Sequence, residues 1–343
     1  MKPEEVLKRY RKILKGEVPL QVEVAKTMEA EEKSWEEHDR LTERLRETLN
    51  EIDSGKKNFK KMENQDYSLL DLKVDLARDL AGSCEFCERK CGIDRKEELG
   101  FCKDPYQMRV ASEFVHQGEE PMIIPSHTVF FTGEKEGGCN FRCVYCQNFD
   151  ISQGSSKGRA RAPEELFQII KSKEERVKNL NLVGGEPTPY LHKILETLQV
   201  GEKKNPVIFN SNAYLSEKGM KLLDGVVDLY LFDFKYFDDN HALKLSKVPN
   251  YREVVTRNHQ LASRQGDLLV RVLLLPNHLD CCDKLILKWI DKSLEGNLLV
   301  NVMDQYRPCW KADEYPEINR RISREEYQEA VEYAEKLGLN FIS

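Results

Sequence analysis

No apolar run in this sequence approaches the ~20 residues that a membrane-spanning helix needs, so a membrane partner is not expected. The first residues, MKPEEVLKRYRKILKGE, lack the apolar stretch of a secretory signal, and a cytoplasmic location is the expectation. A basic surplus is missing as well. The chain has 53 basic and 59 acidic residues, a net charge of −6. That argues against a general nucleic-acid binder, although a local basic groove such as KGRAR (157–161) stays compatible with an RNA substrate. Sustained heptads are absent, which argues against a partner-binding coil in the charged N-terminal part. No repeat is visible beyond an alternation of short strands and helices.

The chain has 343 residues, 40% hydrophobic and 33% charged. This is enough for a barrel of roughly 200–250 residues plus an appendage. Residues 1–82 form a charged helical extension. Val24, Met28, Trp35, Leu41, Leu45, Leu49 and Ile52 recur at helical spacing, with His38 on the same side, and predict one long, mostly exposed helix over 24–52. DSGKKN (53–58) ends it, and a second helix is expected over 67–80, closed by Gly82. A cysteine-rich knuckle and connector, 83–126, comes next.

From 127 to 343 the chain alternates apolar strands with helices. The strands are TVFFT (128–132), LNLVG (180–184), PVIFN (206–210), DLYLFDF (228–234), LLVRVLLL (268–275) and LLVNVM (298–303). Helices fill 163–175, 189–200, 216–223, 251–265, 282–294 and 323–337. Strands apolar on both faces indicate a parallel sheet covered by helices, so the fold class is α/β. Six units favour an incomplete (β/α)6 barrel with ligands at the C-terminal strand ends. The chemically distinctive residues fall at those ends: a cysteine loop, GGE, NSN, DFK and MDQY.

Ten cysteines are many for a reducing compartment, and seven cluster in two tight groups, which suits metal ligation better than disulfides. GGCNFRCVYCQN places Cys139, Cys143 and Cys146 in a CxxxCxxC loop. Three thiolates in so short a loop fit an iron–sulfur cube, and a triad without a nearby fourth cysteine leaves one iron open to bind a ligand. Gly184 and Gly185 of LVGGEPTP permit close backbone approach, and Glu186 offers a carboxylate for an ammonium group. Asn210, Ser211 and Asn212 offer uncharged hydrogen bonds or a helix cap. Asp233 and Lys235 lie at i, i+2 on one side of a strand. Arg271, inside an apolar strand, needs a buried partner, either a ligand carboxylate or a structural acid.

CxxxCxxC with Tyr145 before the last cysteine resembles the radical SAM superfamily signature. GGE after the second strand agrees with it, and VDLYLFDFKY resembles the matching segment of the pyruvate formate-lyase-activating enzyme group. The resemblance covers roughly 84–340 and is closer to an uncharacterised activase-like subgroup, through YPEINRRISREEYQEA (315–330). It implies that a [4Fe–4S] cluster on the triad binds S-adenosylmethionine (SAM) at its open iron. One-electron reduction would then yield methionine and a 5′-deoxyadenosyl radical that abstracts hydrogen. It further implies SAM contacts from Asp233 and Lys235, a reductant such as flavodoxin or ferredoxin, and a protein substrate. A histidine common in that group near 304–306 is absent here, where Gln305 stands instead.

Cys84, Cys87, Cys91 and Cys102 form CxxCxxxCx10C, which fits a four-cysteine zinc site or an auxiliary cluster; the spacing leaves both open. Cys281 and Cys282 read as small buried residues. Cys309, in RPCW, is a candidate for substrate contact. The leading expectation is an enzyme that abstracts hydrogen from a protein. Radical modification of RNA or a small molecule, and a non-catalytic metal-binding interaction protein, are the alternatives.

Overall fold

The six apolar runs between 128 and 303 form the parallel strands of one sheet. The computed structural model describes residues 6–134, 136–155, 158–296 and 298–343, so Lys157 of the basic run lies outside the described residues. The strands are β1 (Arg109–His116), β2 (Ser126–Phe131), β3 (Arg159–Ala160), β4 (Asn179–Gly184), β5 (Val207–Ser211), β6 (Leu229–Asp233), β7 (Asp267–Leu273), β8 (Leu298–Met303) and β9 (Phe341–Ile342). Their order is β3-β1-β2-β4-β5-β6-β7-β8-β9. Pairing is parallel from β2 through β9, while β1 runs antiparallel to both β2 and β3. The fold is α/β, a partial barrel with N-terminal helices.

The N-terminal helices are α1 (Lys8–Leu14), α2 (Gln21–Ala25), α3 (Trp35–Asp53) and α4 (Leu69–Gly82). The others are α5 (Phe149–Ser152), α6 (Pro163–Lys173), α7 (Leu191–Gln199), α8 (Glu217–Leu223), α9 (Asp239–Ser246), α10 (Tyr251–Gln265), α11 (Lys284–Ser293) and α12 (Arg324–Leu337). Each helix expected in the barrel is present within a few residues. The short α9 and the strand β1 were not expected. Cys281 and Cys282 occupy a π-helical turn, Leu279–Asp283, before α11, and Cys282 is buried.

The expected long helix over 24–52 is corrected in one respect. It is interrupted between α2 and α3, and Ser34 caps α3 by accepting from the Glu37 amide. Its apolar stripe of Leu41, Leu45, Leu49 and Ile52 is buried. Gly225 leaves room for this packing, since a Cβ there would lie 2.1 Å from Leu45. Arg46 pairs with Asp224, and the buried Lys73 of α4 donates to the Lys221 carbonyl at 2.9 Å. Helix α4 starts on a capping box of Ser68 and Asp71.

Strand alternation separates two environments inside the barrel. Ile208, Leu229, Leu231, Leu269 and Leu299 form an apolar cluster with Val6, Leu7, Tyr10 and Ile123, so the segment containing α1 plugs the N-terminal end. Tyr10 is tied in place: its amide donates to Asp267 at 2.7 Å and its hydroxyl accepts from Asn179 at 2.8 Å. Two residues further along the same strand faces come Asn210, Asp233, Arg271 and Asn301. The interior therefore changes from apolar to polar within one strand repeat. No helix among the described residues is long and apolar enough to cross a membrane.

Candidate active site

The polar end opens into a cavity of about 240 Å³. Cys139, Cys143 and Cys146 line it from the loop after β2, together with Tyr145. Gly184, Gly185 and Glu186 reach it from the end of β4, Asn210 and Asn212 from β5, Asp233 and Lys235 from β6, and Arg271 from β7. All the residues expected from the triad, GGE, NSN and DFK motifs, with Arg271, thus share one cavity. Gln147, Asn148 and Gln305 form its exposed rim.

The three sulfurs are held apart around the cavity by different partners. Cys139 Sγ accepts from the Phe141 amide at 3.3 Å, and Cys143 Sγ accepts from Ser246 Oγ at 3.0 Å. Cys146 Sγ lies 3.2 Å from Ser152 Oγ. Burial pushes all three thiols up, Cys143 to about 11, and each feels another sulfur nearby. Buried sulfurs facing one space suit ligation to a polynuclear cluster, whose irons replace the protons. Ser246 and Ser152 were not foreseen; both are distant in sequence or unremarkable in type.

The glycines lie where backbones approach closely. A Cβ on Gly184, whose φ is +132°, would lie 2.3 Å from the Phe131 backbone, and one on Gly185 would lie 2.0 Å from the Gly138 carbonyl oxygen. The close approach is to the chain's own backbone, at the end of β2 for Gly184 and at the cysteine loop for Gly185. Glu186 is likewise occupied by the protein. Its carboxylate accepts from Ser211 Oγ (2.6 Å), Thr188 Oγ1 (2.5 Å) and the Asn212 amide (3.0 Å). Burial raises its pKa despite these donors. Glu186 organises the β4 and β5 ends around the cysteine loop, where Asn212 Nδ2 in turn donates to Asn140 Oδ1 at 2.7 Å.

Lys235 Nζ donates to Asp233 at 2.7 Å. Burial works against the ammonium charge, but Asp233 and the sulfur of Cys143 outweigh it and hold Lys235 above its usual value. The Lys235 amide donates to Tyr251 Oη at 2.7 Å, which fixes the segment beyond β6.

For Arg271, the structural acids are the partners present. Its guanidinium grips Glu120 through two hydrogen bonds of 2.7 and 2.8 Å and pairs with Glu119. Burial opposes the charge, yet Glu120 and Glu119 keep it well above its ordinary value. The acids come from QGEE (117–120) after β1, which sequence reasoning missed along with the strand. Asn210 Oδ1 accepts weakly from Arg271 at 3.4 Å, and Asn210 Nδ2 is buried without a partner. That orphaned donor is the one expected of a site shaped for a further ligand.

Cys309 does not line the cavity. Its loop packs on the cysteine loop, with the Lys311 amide donating to the Val144 carbonyl at 2.9 Å. The basic run beyond Lys157 is partly compensated locally, since Arg159 and Arg161 share Glu165 as a partner. The second cysteine group, Cys84, Cys87, Cys91 and Cys102, lines a separate small cavity beneath the loop of the first.

A partial α/β barrel with a three-cysteine loop and polar strand ends converging on one cavity defines a cluster-dependent enzyme class. Residues 136–290 match the radical SAM superfamily, and the chain belongs to it. It is 44% identical to the uncharacterised protein MJ0674 of Methanocaldococcus jannaschii over 98% of this chain and 99% of that one. It is also 25% identical, over 160 residues, to the pyruvate formate-lyase-activating enzyme of Staphylococcus aureus, covering 43% of this chain and 63% of that enzyme. Among solved structures, Streptococcus suis SuiB bound to S-adenosylmethionine matches with a TM-score of 0.44 at 13% identity, over 59% of this chain and 47% of that one. Superfamily membership implies a [4Fe–4S] cluster and SAM as cofactors.

Proposed function

We propose that this radical SAM enzyme abstracts a hydrogen atom from a residue of a partner protein, as a glycyl-radical activase does. The observation that carries the reading is the likeness to the Staphylococcus aureus pyruvate formate-lyase-activating enzyme over 160 residues. In this reading Cys139, Cys143 and Cys146 hold the cluster. Bound together, cluster and SAM supply hydrogen-abstracting radical chemistry.

The chain's own residues position and shield that chemistry. Lys235 brings a positive charge beside the sulfurs and, with Asp233, offers an acceptor and a donor to the amino and carboxylate groups of SAM. Asn210 Nδ2 supplies the unpaired amide donor. Arg271, held by Glu119 and Glu120, contributes to the floor of the cavity. The rim of Gln147, Asn148 and Gln305 is uncharged and exposed, and Trp310 stacks on Phe149 at 4.8 Å on the loop that packs against the triad. An exposed Trp310 stacked on the half-buried Phe149 beside an uncharged rim suits a polypeptide loop.

The test mixes reduced enzyme and SAM with candidate glycyl-radical proteins. A protein-centred EPR signal, with 5′-deoxyadenosine above the level without protein, is expected. If deoxyadenosine instead rises with RNA or small-molecule fractions and never with a protein, the reading fails.

A further inference from the structure

Cys143 is served differently from the other two sulfurs of the triad. Ser246 Oγ donates to its Sγ at 3.0 Å, Tyr236 Oη lies 2.7 Å from Ser246 Oγ, and Tyr145 Oη lies 2.6 Å from Tyr236 Oη. Ser246 and Tyr236 are completely buried and Tyr145 nearly so. Cys139 meets the Phe141 amide and, at 3.7 Å, Asn212 Nδ2. Cys146 meets Ser152 Oγ, behind which no second hydroxyl stands among the described residues.

A count of hydrogens fixes the direction of the chain. Each hydroxyl has one hydrogen to donate, and a thiolate that ligates a metal has none. Ser246 therefore donates to Cys143, Tyr236 to Ser246, and Tyr145 to Tyr236. Both phenols keep their protons near neutral pH, since a tyrosine ionises only near ~10. Three O–H dipoles thus point along one line at one sulfur, and each bond polarises the next.

The surroundings hold this chain in place. Tyr251 packs edge-on against the Tyr236 ring at 5.4 Å and is itself fixed by the Lys235 amide. Tyr306 packs edge-on against Tyr145 at 5.7 Å, and its hydroxyl donates to the Ile318 carbonyl. Ser246 ends α9. Its carbonyl accepts from the Arg142 amide and that of Leu245 from the Val144 amide, both at 2.9 Å. These bonds tie α9 to the cysteine loop without using the Ser246 hydroxyl.

Stability alone does not ask for such a chain. Phenylalanine at 236 and alanine at 246 would fill the interior without burying hydroxyls, and a thiol is a weak acceptor. An anionic cluster ligand is a strong one. Hydrogen bonds to cluster sulfurs favour the reduced form, which carries one more negative charge, and so make the potential less negative.

We propose that Ser246, Tyr236 and Tyr145 form a hydroxyl relay that raises the reduction potential of the triad's cluster through Cys143. All three are positioning residues, acting through the sulfur. The proposal rests on the reading of Cys143 as a cluster ligand and holds for any substrate.

Reduction potentials are measured by EPR-monitored titration without SAM in wild type, S246A, Y236F and Y145F, at matched iron content. The signal followed is the one that changes when SAM is then added, which marks the cluster with an open iron. S246A and Y236F are expected at more negative potentials than wild type, with the larger shift in S246A and the smallest in Y145F. A wild-type potential in Y236F, which does not touch the sulfur, overturns the relay, and so does one in S246A, even where SAM cleavage has slowed. Y236F removes one oxygen and keeps the ring, so it decides the question where S246A fails to fold. A wild type without any SAM-responsive signal defeats the reading of the triad and the relay with it, whereas unshifted variants defeat the relay alone.

Discussion

The two ends of the barrel are built by the same strands and differ by a shift of two residues. At the N-terminal end Ile208, Leu231 and Leu269 meet Val6, Leu7 and Tyr10 in an apolar plug. At the C-terminal end Asn210, Asp233 and Arg271 face a cavity ringed by three sulfurs. One end gains stability by burying apolar surface. The other holds buried polar groups at a cost in stability, and Asn210 Nδ2 remains unpaired there. Damage to the plug should therefore appear as lost stability, and damage to the polar ring as lost chemistry.

The largest expected effect is at the plug. Tyr10→Ala removes a ring that is 1% exposed, together with its hydrogen bond from Asn179, and should cost about 3–5 kcal/mol in denaturant unfolding. The rate of SAM cleavage per folded molecule should be unchanged; a fall in that rate at full folding would break the contrast between the two ends. At the site, Gly185→Ala drives a Cβ into the Gly138 carbonyl and displaces the cysteine loop. A displacement near 1 Å should lower SAM cleavage by about 100-fold, measured as deoxyadenosine formation. Activity close to wild type would show that the loop can yield.

A smaller and sharper effect is expected at Glu186→Gln. If its amide group faces the Asn212 amide, two donors oppose each other and the variant loses about 1–3 kcal/mol of stability. SAM affinity, measured by equilibrium binding, should fall only as far as the β4 and β5 ends shift. An affinity loss without any stability loss would return Glu186 to a ligand-binding role.

The strand ends were legible in the sequence because each carries residues that do not suit a buried strand. Asn210, Asp233 and Arg271 interrupt apolar runs, and the cysteine spacing stands out without any structure. What those residues touch was less legible. Arg271 offered two partners, and the acids it meets lie in the connector after β1, a strand in which Val110 is the one fully buried residue. Its pattern is too weak to announce it. Helix α1, KRYRKIL, reads as a solvated charged segment, yet Tyr10 and Ile13 bury it against the barrel. That burial is a tertiary choice that local propensity does not express. The break between α2 and α3 was signalled by Ser34 and Glu37, a cap pattern that the longer hydrophobic periodicity concealed.

The central claim is that the triad, at the polar end of the barrel, supports reductive SAM cleavage. Its most direct test compares 5′-deoxyadenosine formation from SAM under a strong one-electron reductant in the wild type and in C139A/C143A/C146A, with folding verified for both. The account predicts steady formation by the wild type and none above background by the variant. Cleavage by the variant at the wild-type rate would contradict it.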